Sequence, residues 1–204
     1  MIRAFIAIDL PEAVRAAIGE AQAQLKRARV GVKVSWTKIA NLHLTLQFLG
    51  YVEEPAVEKI SRALAGVAGQ HAPFELAVSG AGAFPDERRP RVLWVGCDDS
   101  AGRLKALAEA VQLTMQAFRF EPERREFSAH LTLGRIKPAL SKVEGLPRTD
   151  AALTRALDSL KNQPFGTLRV EAVHLFQSQL HPEGSIYTKL SSHPLGGSHH
   201  AGKN

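Results

Sequence analysis

The tetrapeptide His-Leu-Thr-Leu occurs twice in the chain, at residues 43–46 and 130–133, and each copy sets an imidazole two positions before a hydroxyl. Leu42, Phe48 and Ile136 beside them favour extended backbone, and side chains alternate between the two faces of a strand. His43 therefore shares a face with Thr45, and His130 with Thr132, while the leucines point the other way. Two facing imidazoles suit general acid and base catalysis near neutral pH, because one ring holds a proton while the other accepts one. Two threonine hydroxyls can donate to non-bridging phosphoryl oxygens. The set fits attack of water on a phosphodiester, with one histidine as base towards the water and the other as acid towards the leaving oxygen.

Zinc is the competing chemistry, since paired histidines are common ligands. A catalytic zinc usually takes three protein ligands, and neither copy has an Asp, Glu, Cys or second His at ligand spacing. Acid and base use without a metal or other cofactor is therefore favoured. A single copy would be read more readily as a hydrogen-bonded strand histidine, because short motifs recur by chance. The remaining histidines carry less: His71 and His181 fall in expected turns, His174 in a terminal strand, and His193, His199 and His200 in an expected tail. There is no Walker loop, Gly-x-Gly-x-x-Gly or nucleophile elbow, and Ser35, Ser128 and Cys97 lack a local activating partner.

The elements that must carry the two motifs also recur. A strand from Arg3 to Ile8 is followed by a helix that Pro11 and Glu12 open and that runs to about Arg29. A strand from Arg91 to Gly96 is followed by a helix that Ser100 can cap, with Leu104, Leu107, Val111 and Met115 at helical spacing. Arg3 and Arg91 are 88 residues apart, His43 and His130 are 87 apart, and this constancy makes chance a poor explanation. A helix from Pro55 to Val67 then precedes a strand from Phe74 to Ser79, as a helix from Asp150 to Leu160 precedes one from Phe165 to Val173. The segment Pro138 to Thr149, with Gly145 and Pro147, reads as a long loop just past the second motif. A hairpin closes the pattern, with strands near Val173–Phe176 and Ser185–Leu190 joined by a turn holding His181, Pro182 and Gly184.

These elements predict an α+β fold of two pseudo-symmetric lobes, each a mostly antiparallel sheet with helices on its outer face, enclosing a central cleft. Residues 1–190 are expected to form one bilobal domain with repeats over about 1–85 and 90–175. Residues 191–204, rich in Ser, Gly and His, read as a disordered tail. Symmetry would bring His43 and His130 together across the cleft.

Lys and Arg number 26 against 20 Asp and Glu, a net charge of +6 that suits an anionic partner. Basic residues gather at Lys26, Arg27 and Arg29, at Arg88, Arg89 and Arg91, at Arg124 and Arg125, and at Arg135 and Lys137. Each cluster is equally consistent with solvated surface. Aromatic residues make up 6% of the chain, which leaves a base-stacking platform poorly supplied. The single Cys97 excludes an intrachain disulfide and suits a reducing cytoplasm. The apolar run in Met1–Leu10 is broken by Asp9 and too short for a signal or membrane segment, so a soluble, cytoplasmic protein is expected, with a monomer as the default.

Longer stretches around the motifs sharpen this reading. They are Arg3-x-Phe-Ile-Ala-Ile, Trp36 ahead of Asn41-Leu-His-Leu-Thr-Leu-x-Phe-Leu-Gly50, and Pro90-Arg-Val-Leu-Trp94, then Phe127-Ser-Ala-His-Leu-Thr-Leu-Gly-Arg135 and Gly184-x-x-Tyr187-x-x-Leu190. The chain resembles the 2H phosphoesterase superfamily, in particular its RNA 2′,3′-cyclic phosphodiesterases, also called 2′-5′ RNA ligase-like proteins. The resemblance implies a two-lobed shell that opens the terminal 2′,3′-cyclic phosphate of RNA to a 2′-phosphomonoester. It implies His43 as proton donor, His130 as proton acceptor, Thr45 and Thr132 as catalytic partners, and Arg135 as a phosphate or nucleotide contact. RNA ends or nucleotides bearing a cyclic phosphate would be the partners. Closure of a 2′-5′ linkage, and binding of an RNA end without turnover, stay open as alternatives. Ala129 stands where the family commonly has Pro, and simple alternation puts Arg135 opposite His130 unless Gly134 introduces a bulge.

Overall fold

Nine strands among the described residues form a single antiparallel sheet that divides into two halves. A computed structural model describes residues 1–28, 33–87, 89–123, 126–137, 151–182 and 184–196. One half-sheet holds β1 (Ile2–Ile8), β3 (Leu44–Val52), β8 (Ala172–Gln179) and β9 (Ile186–Pro194). The other holds β4 (Phe74–Phe84), β5 (Val92–Asp98), β6 (His130–Ile136) and β7 (Pro164–Val170), with the short β2 (Val34–Trp36) paired to β6. The halves meet where β3 touches β6 through one residue pair, Leu44 with Leu131. The fold is α+β, as the element pattern implied.

The lobes are not the sequence halves. From the first repeat, α1 (Glu12–Arg27) packs on β7, and β4 pairs with β5; from the second, α3 (Arg103–Gln116) packs on β3, and β8 pairs with β1. α4 (Ala151–Leu160) joins α1 on the second lobe, while α2 (Glu54–Ala68) joins α3 and lies on β8 and β9. Each helix buries one stripe, for example Val14, Ile18, Ala21 and Leu25 of α1 and Leu104, Leu107, Val111 and Met115 of α3. These stripes meet the alternate residues Ala4, Ile6 and Ile8 of β1, Leu44 and Leu46 of β3, and Leu131 and Leu133 of β6 in one continuous core. The repeats are therefore intertwined, and neither could bury its own apolar face alone.

Three expectations change. The strand expected from Phe165 to Val173 is two strands, because the buried positions run Leu168, Val170 and then Val173, Leu175, a change of phase that breaks the ladder at Glu171. The expected tail begins too early: β9 continues through Ser191 to Pro194, and Leu195 is buried. An edge strand carries polar residues on its solvent side, so composition alone mimicked a tail there. His193 accordingly sits in β9, near Ser61 Oγ (3.2 Å) and Ser191 Oγ (3.0 Å). Thirdly, Ser100 does not cap α3; the Asp99 carboxylate does, accepting from the amides of Leu104 (3.0 Å) and Lys105 (2.8 Å).

The expected loop at 138–149, Arg29, Arg88, Arg124, Arg125, His199 and His200 lie outside the described residues. No helix among the described residues is long and apolar enough to cross a membrane.

His174 of β8 is buried, and its Nδ1 has no hydrogen-bond partner among the described residues. Burial pushes the ring down to about 4, with Lys189 and His193 adding to the shift and Asp9 opposing it. The folded state therefore binds fewer protons than the unfolded chain between about 4 and the ordinary 6.5. The stability this contributes is complete above 6.5 and is lost as the pH falls towards about 4. Thermal unfolding across this range should show a flatter fall in Tm for His174→Leu than for the parent chain.

Candidate active site

Both motif histidines are held by the same local bond. His43 directly precedes β3 with Nδ1 2.8 Å from the carbonyl of Asn41, and His130 opens β6 with Nδ1 2.8 Å from the carbonyl of Ser128. A carbonyl can only accept, so each ring donates its Nδ1–H to the residue two positions back and leaves Nε2 for proton transfer. The rings differ in surroundings. His43 lies against Phe5 (centroids 4.6 Å) and edge-on to Tyr187 (5.3 Å), whereas His130 meets Phe84 edge-on at 5.0 Å.

A 3₁₀ turn at Ile39–Asn41 delivers the chain to His43. Arg15 of α1 braces that turn: its Nη1 donates to the carbonyls of Leu42 (2.9 Å), Ala40 (3.1 Å) and Ile39 (3.3 Å). Arg15 is in turn paired with Asp9, whose other oxygen accepts from Lys189 Nζ at 3.0 Å. Asn41 Nδ2 donates to the carbonyl of Ser185 at 2.6 Å, which ties the β8–β9 hairpin to the same turn.

On the second strand the register slips. Leu93 of β5 faces Gly134 and Trp94 faces Thr132, so Leu133 is the extra residue of a bulge. The Leu133 carbonyl accepts from the Thr37 amide (2.9 Å) and from Gln22 Nε2 (3.0 Å), and Gln22 is itself buried. Gly134 is required there, since a Cβ would stand 2.8 Å from Val34 Cγ1 and 3.1 Å from the Ser35 carbonyl. The bulge reverses the alternation, and Arg135 joins Thr132 on the cleft side.

A pocket of about 380 Å³ opens on this face, lined by His43, Thr45, Thr132 and Arg135. His130 is not part of that lining; it stands half-buried at the neighbouring end of β6. Among the further lining residues, sequence reasoning gave no site role to Arg3, Phe5, Phe48 and Tyr187. Few aromatic residues exist, but three of them converge here. The alternation of β1, with Ala4, Ile6 and Ile8 facing the core, was the signal that set Arg3 and Phe5 on the cleft face. Among the described residues no Asp or Glu lines the pocket, and no group of three or more His, Cys, Asp or Glu suited to a metal occurs.

Burial pushes the His43 ring below the usual histidine range; the Asn41 carbonyl and Asp9 oppose this, while Arg15 and His130 add to it. The site thus presents two Nε2 atoms, two hydroxyls and the guanidinium groups of Arg3 and Arg135, a set that can receive a phosphoryl group and move protons on either side of it.

The LigT like Phosphoesterase family matches the chain twice in succession, over residues 8–94 and 95–187. The chain belongs to this family. It is 34% identical over 189 residues to an RNA 2′,3′-cyclic phosphodiesterase of Methanothermobacter thermautotrophicus, covering 93% of this chain and 96% of the relative. It is 36% identical over 163 residues to one of Aeropyrum pernix, covering 80% and 87%. Among solved structures, TT0787 of Thermus thermophilus superimposes with a TM-score of 0.76 at 30% identity, covering 97% of this chain and all of that one. LigT of E. coli complexed with 3′-AMP gives 0.69 at 26% identity, covering 95% and 98%. Each copy of the LigT-like repeat thus carries one His-Leu-Thr-Leu.

An anion near Nε2 favours the imidazolium form. In the ligand-free protein the His43 ring should titrate below 6.5, and saturation with inorganic phosphate should move it upward. Ring-proton NMR during a pH titration measures both; an unmoved His43 would show that bound phosphate does not meet this ring.

Proposed function

We propose that the chain is an RNA 2′,3′-cyclic phosphodiesterase that opens a terminal 2′,3′-cyclic phosphate to a 2′-phosphomonoester. Water attacks phosphorus, the bond from phosphorus to O3′ breaks, His130 takes the proton from water and His43 gives one to O3′. Thr45 and Thr132 donate to the non-bridging oxygens as charge develops on them, and Arg135 neutralises part of that charge. The reaction needs no metal or other cofactor. The observation that carries this reading is the matched pair of histidines, each with Nδ1 bonded to the carbonyl two residues back and Nε2 without a partner among the described residues. Binding alone would not need two such rings. The similarity to relatives named for this activity supports the choice of substrate.

One copy of the chain supplies both histidines and both threonines, so a monomer holds the complete set. A reducing cytoplasm suits its single Cys97, whose thiol burial pushes up to about 12 and leaves inert.

RNA ending in a 2′,3′-cyclic phosphate should be converted to a product bearing a 2′-phosphate, identified by mass and by comparison with authentic 2′- and 3′-phosphates. His43→Ala and His130→Ala should each lower turnover roughly 10²- to 10⁴-fold, and EDTA should leave the rate unchanged. A 3′-phosphate product, or full activity in both variants, would sink the mechanism.

A further inference from the structure

Arg3 and Arg135 line the same pocket, and neither has an ion pair or hydrogen bond with any described residue. Three other arginines are engaged, Arg15 with Asp9, Arg62 with Glu58, and Arg169 with Glu75 and Glu171, and what sets Arg3 and Arg135 apart is that both face the pocket. With no carboxylate among the described lining residues, two guanidinium groups without a described partner share one cleft.

They cannot serve the same phosphate. β1 and β6 are both antiparallel to β3, so they run in the same direction. Ala7 pairs with Thr45 and Leu44 with Leu131, which puts Ala7 level with the start of β6. From that level Arg135 lies towards the end of β6, and Arg3 lies the opposite way, towards the start of β1. At about 3.3 Å per residue, Arg3 stands about 13 Å along β1 from Ala7.

What lies between is aromatic. Phe5 pairs with Phe48 on the intervening rung, both on the pocket wall, and Tyr187 meets the Phe5 ring edge-on at 4.9 Å. From the His43 and Thr45 end outward, the wall therefore offers hydroxyl and imidazole groups, then ring faces, then a guanidinium. Phosphate, nucleoside and phosphate follow one another in the same order along a nucleic acid strand.

We infer that Arg3 forms a second anion subsite, one nucleoside away from the reacting phosphate, which holds the next phosphodiester of an RNA strand. This rests on the cyclic phosphodiesterase reading and narrows its substrate from cyclic mononucleotides to RNA ends of two or more nucleotides. Arg3 is a specificity residue and takes no part in proton transfer.

Three substrates test it: adenosine 2′,3′-cyclic phosphate, the dinucleotide ApA with the same cyclic end, and that dinucleotide with a neutral methylphosphonate linkage. The parent chain should favour the charged dinucleotide over the mononucleotide in kcat/KM by about tenfold, the scale of one charge-assisted contact. Arg3→Gln and the neutral linkage should each remove most of that advantage, and their losses should not add. Arg62→Gln, on the outer surface of α2, should keep the advantage. Arg3→Gln should also flatten the dependence of log kcat/KM on log salt for the dinucleotide by about 0.7. An advantage that survives Arg3→Gln, or losses that add, would overturn the subsite. Should no compound turn over, the cyclic phosphodiesterase reading fails, and dissociation constants for the two dinucleotides decide the subsite on the same comparison.

Discussion

The site depends on a sheet joint one rung wide. β3 and β6 share the pair Leu44 and Leu131 and then part. That contact joins the two His-Leu-Thr-Leu segments at their starts, close enough for the charge of His130 to act on His43. A joint this narrow leaves backbone groups of both strands without ladder partners, and buried groups of that kind must be satisfied elsewhere. Several of those partners come from α1. Arg15 takes three carbonyls of the turn that leads into β3, and Gln22 takes the carbonyl of the bulged Leu133 on β6. Residues 15 and 22 are two helical turns apart and so lie on one face. A single helix from the first repeat thus braces both motif strands.

That brace explains how a near-symmetric sequence yields unlike halves. The two His-Leu-Thr-Leu segments are identical, and their Nδ1 bonds are matched at 2.8 Å. Beyond them the supports differ: a 3₁₀ turn clamped by a guanidinium on one side, a bulge pinned by an amide on the other. Only the second carries an arginine into the pocket, because the extra residue Leu133 shifts the alternation by one. Position in the duplication fixed where the histidines go, and the local irregularities decide what surrounds each of them.

The sequence was most informative where periodicity and repetition coincide. The motif pair, the helix stripes and the α+β class could be read from residue types and offsets, since alternation and helical spacing follow from backbone geometry alone. What it hid were matters of pairing. Nothing local to Phe74–Phe84 says that β4 joins β5 of the other repeat, because strand partners are chosen by the assembled core. The polar edge strand β9 looked like tail for a similar reason, as its bonds to β8 and its contact with α2 are long-range. Arg15 and Gln22 were invisible as site residues: their chemistry lies in bonds to distant carbonyls, which no motif records. The aromatic wall was misjudged by counting. A low aromatic total says little when Phe5, Phe48 and Tyr187 are gathered into one place.

The unlike surroundings of the two histidines bear on the order of events. Under the proposed roles His43 must be protonated to release O3′, yet burial among Phe5 and Tyr187 holds its ring low, and Arg15 and His130 add repulsion. An imidazolium in the empty cleft would add a charge beside Arg15 and His130, both of which already disfavour it, with only the charge of Asp9 opposing them. A phosphodiester changes that balance, since its negative charge sits beside Nε2 and favours the charged ring. Binding of the anion and uptake of the proton are then linked, and each strengthens the other by the same factor. The donor becomes charged as the group it must protonate arrives. On this view the low affinity of the free ring for protons belongs to the design of an acid that is armed by its own substrate.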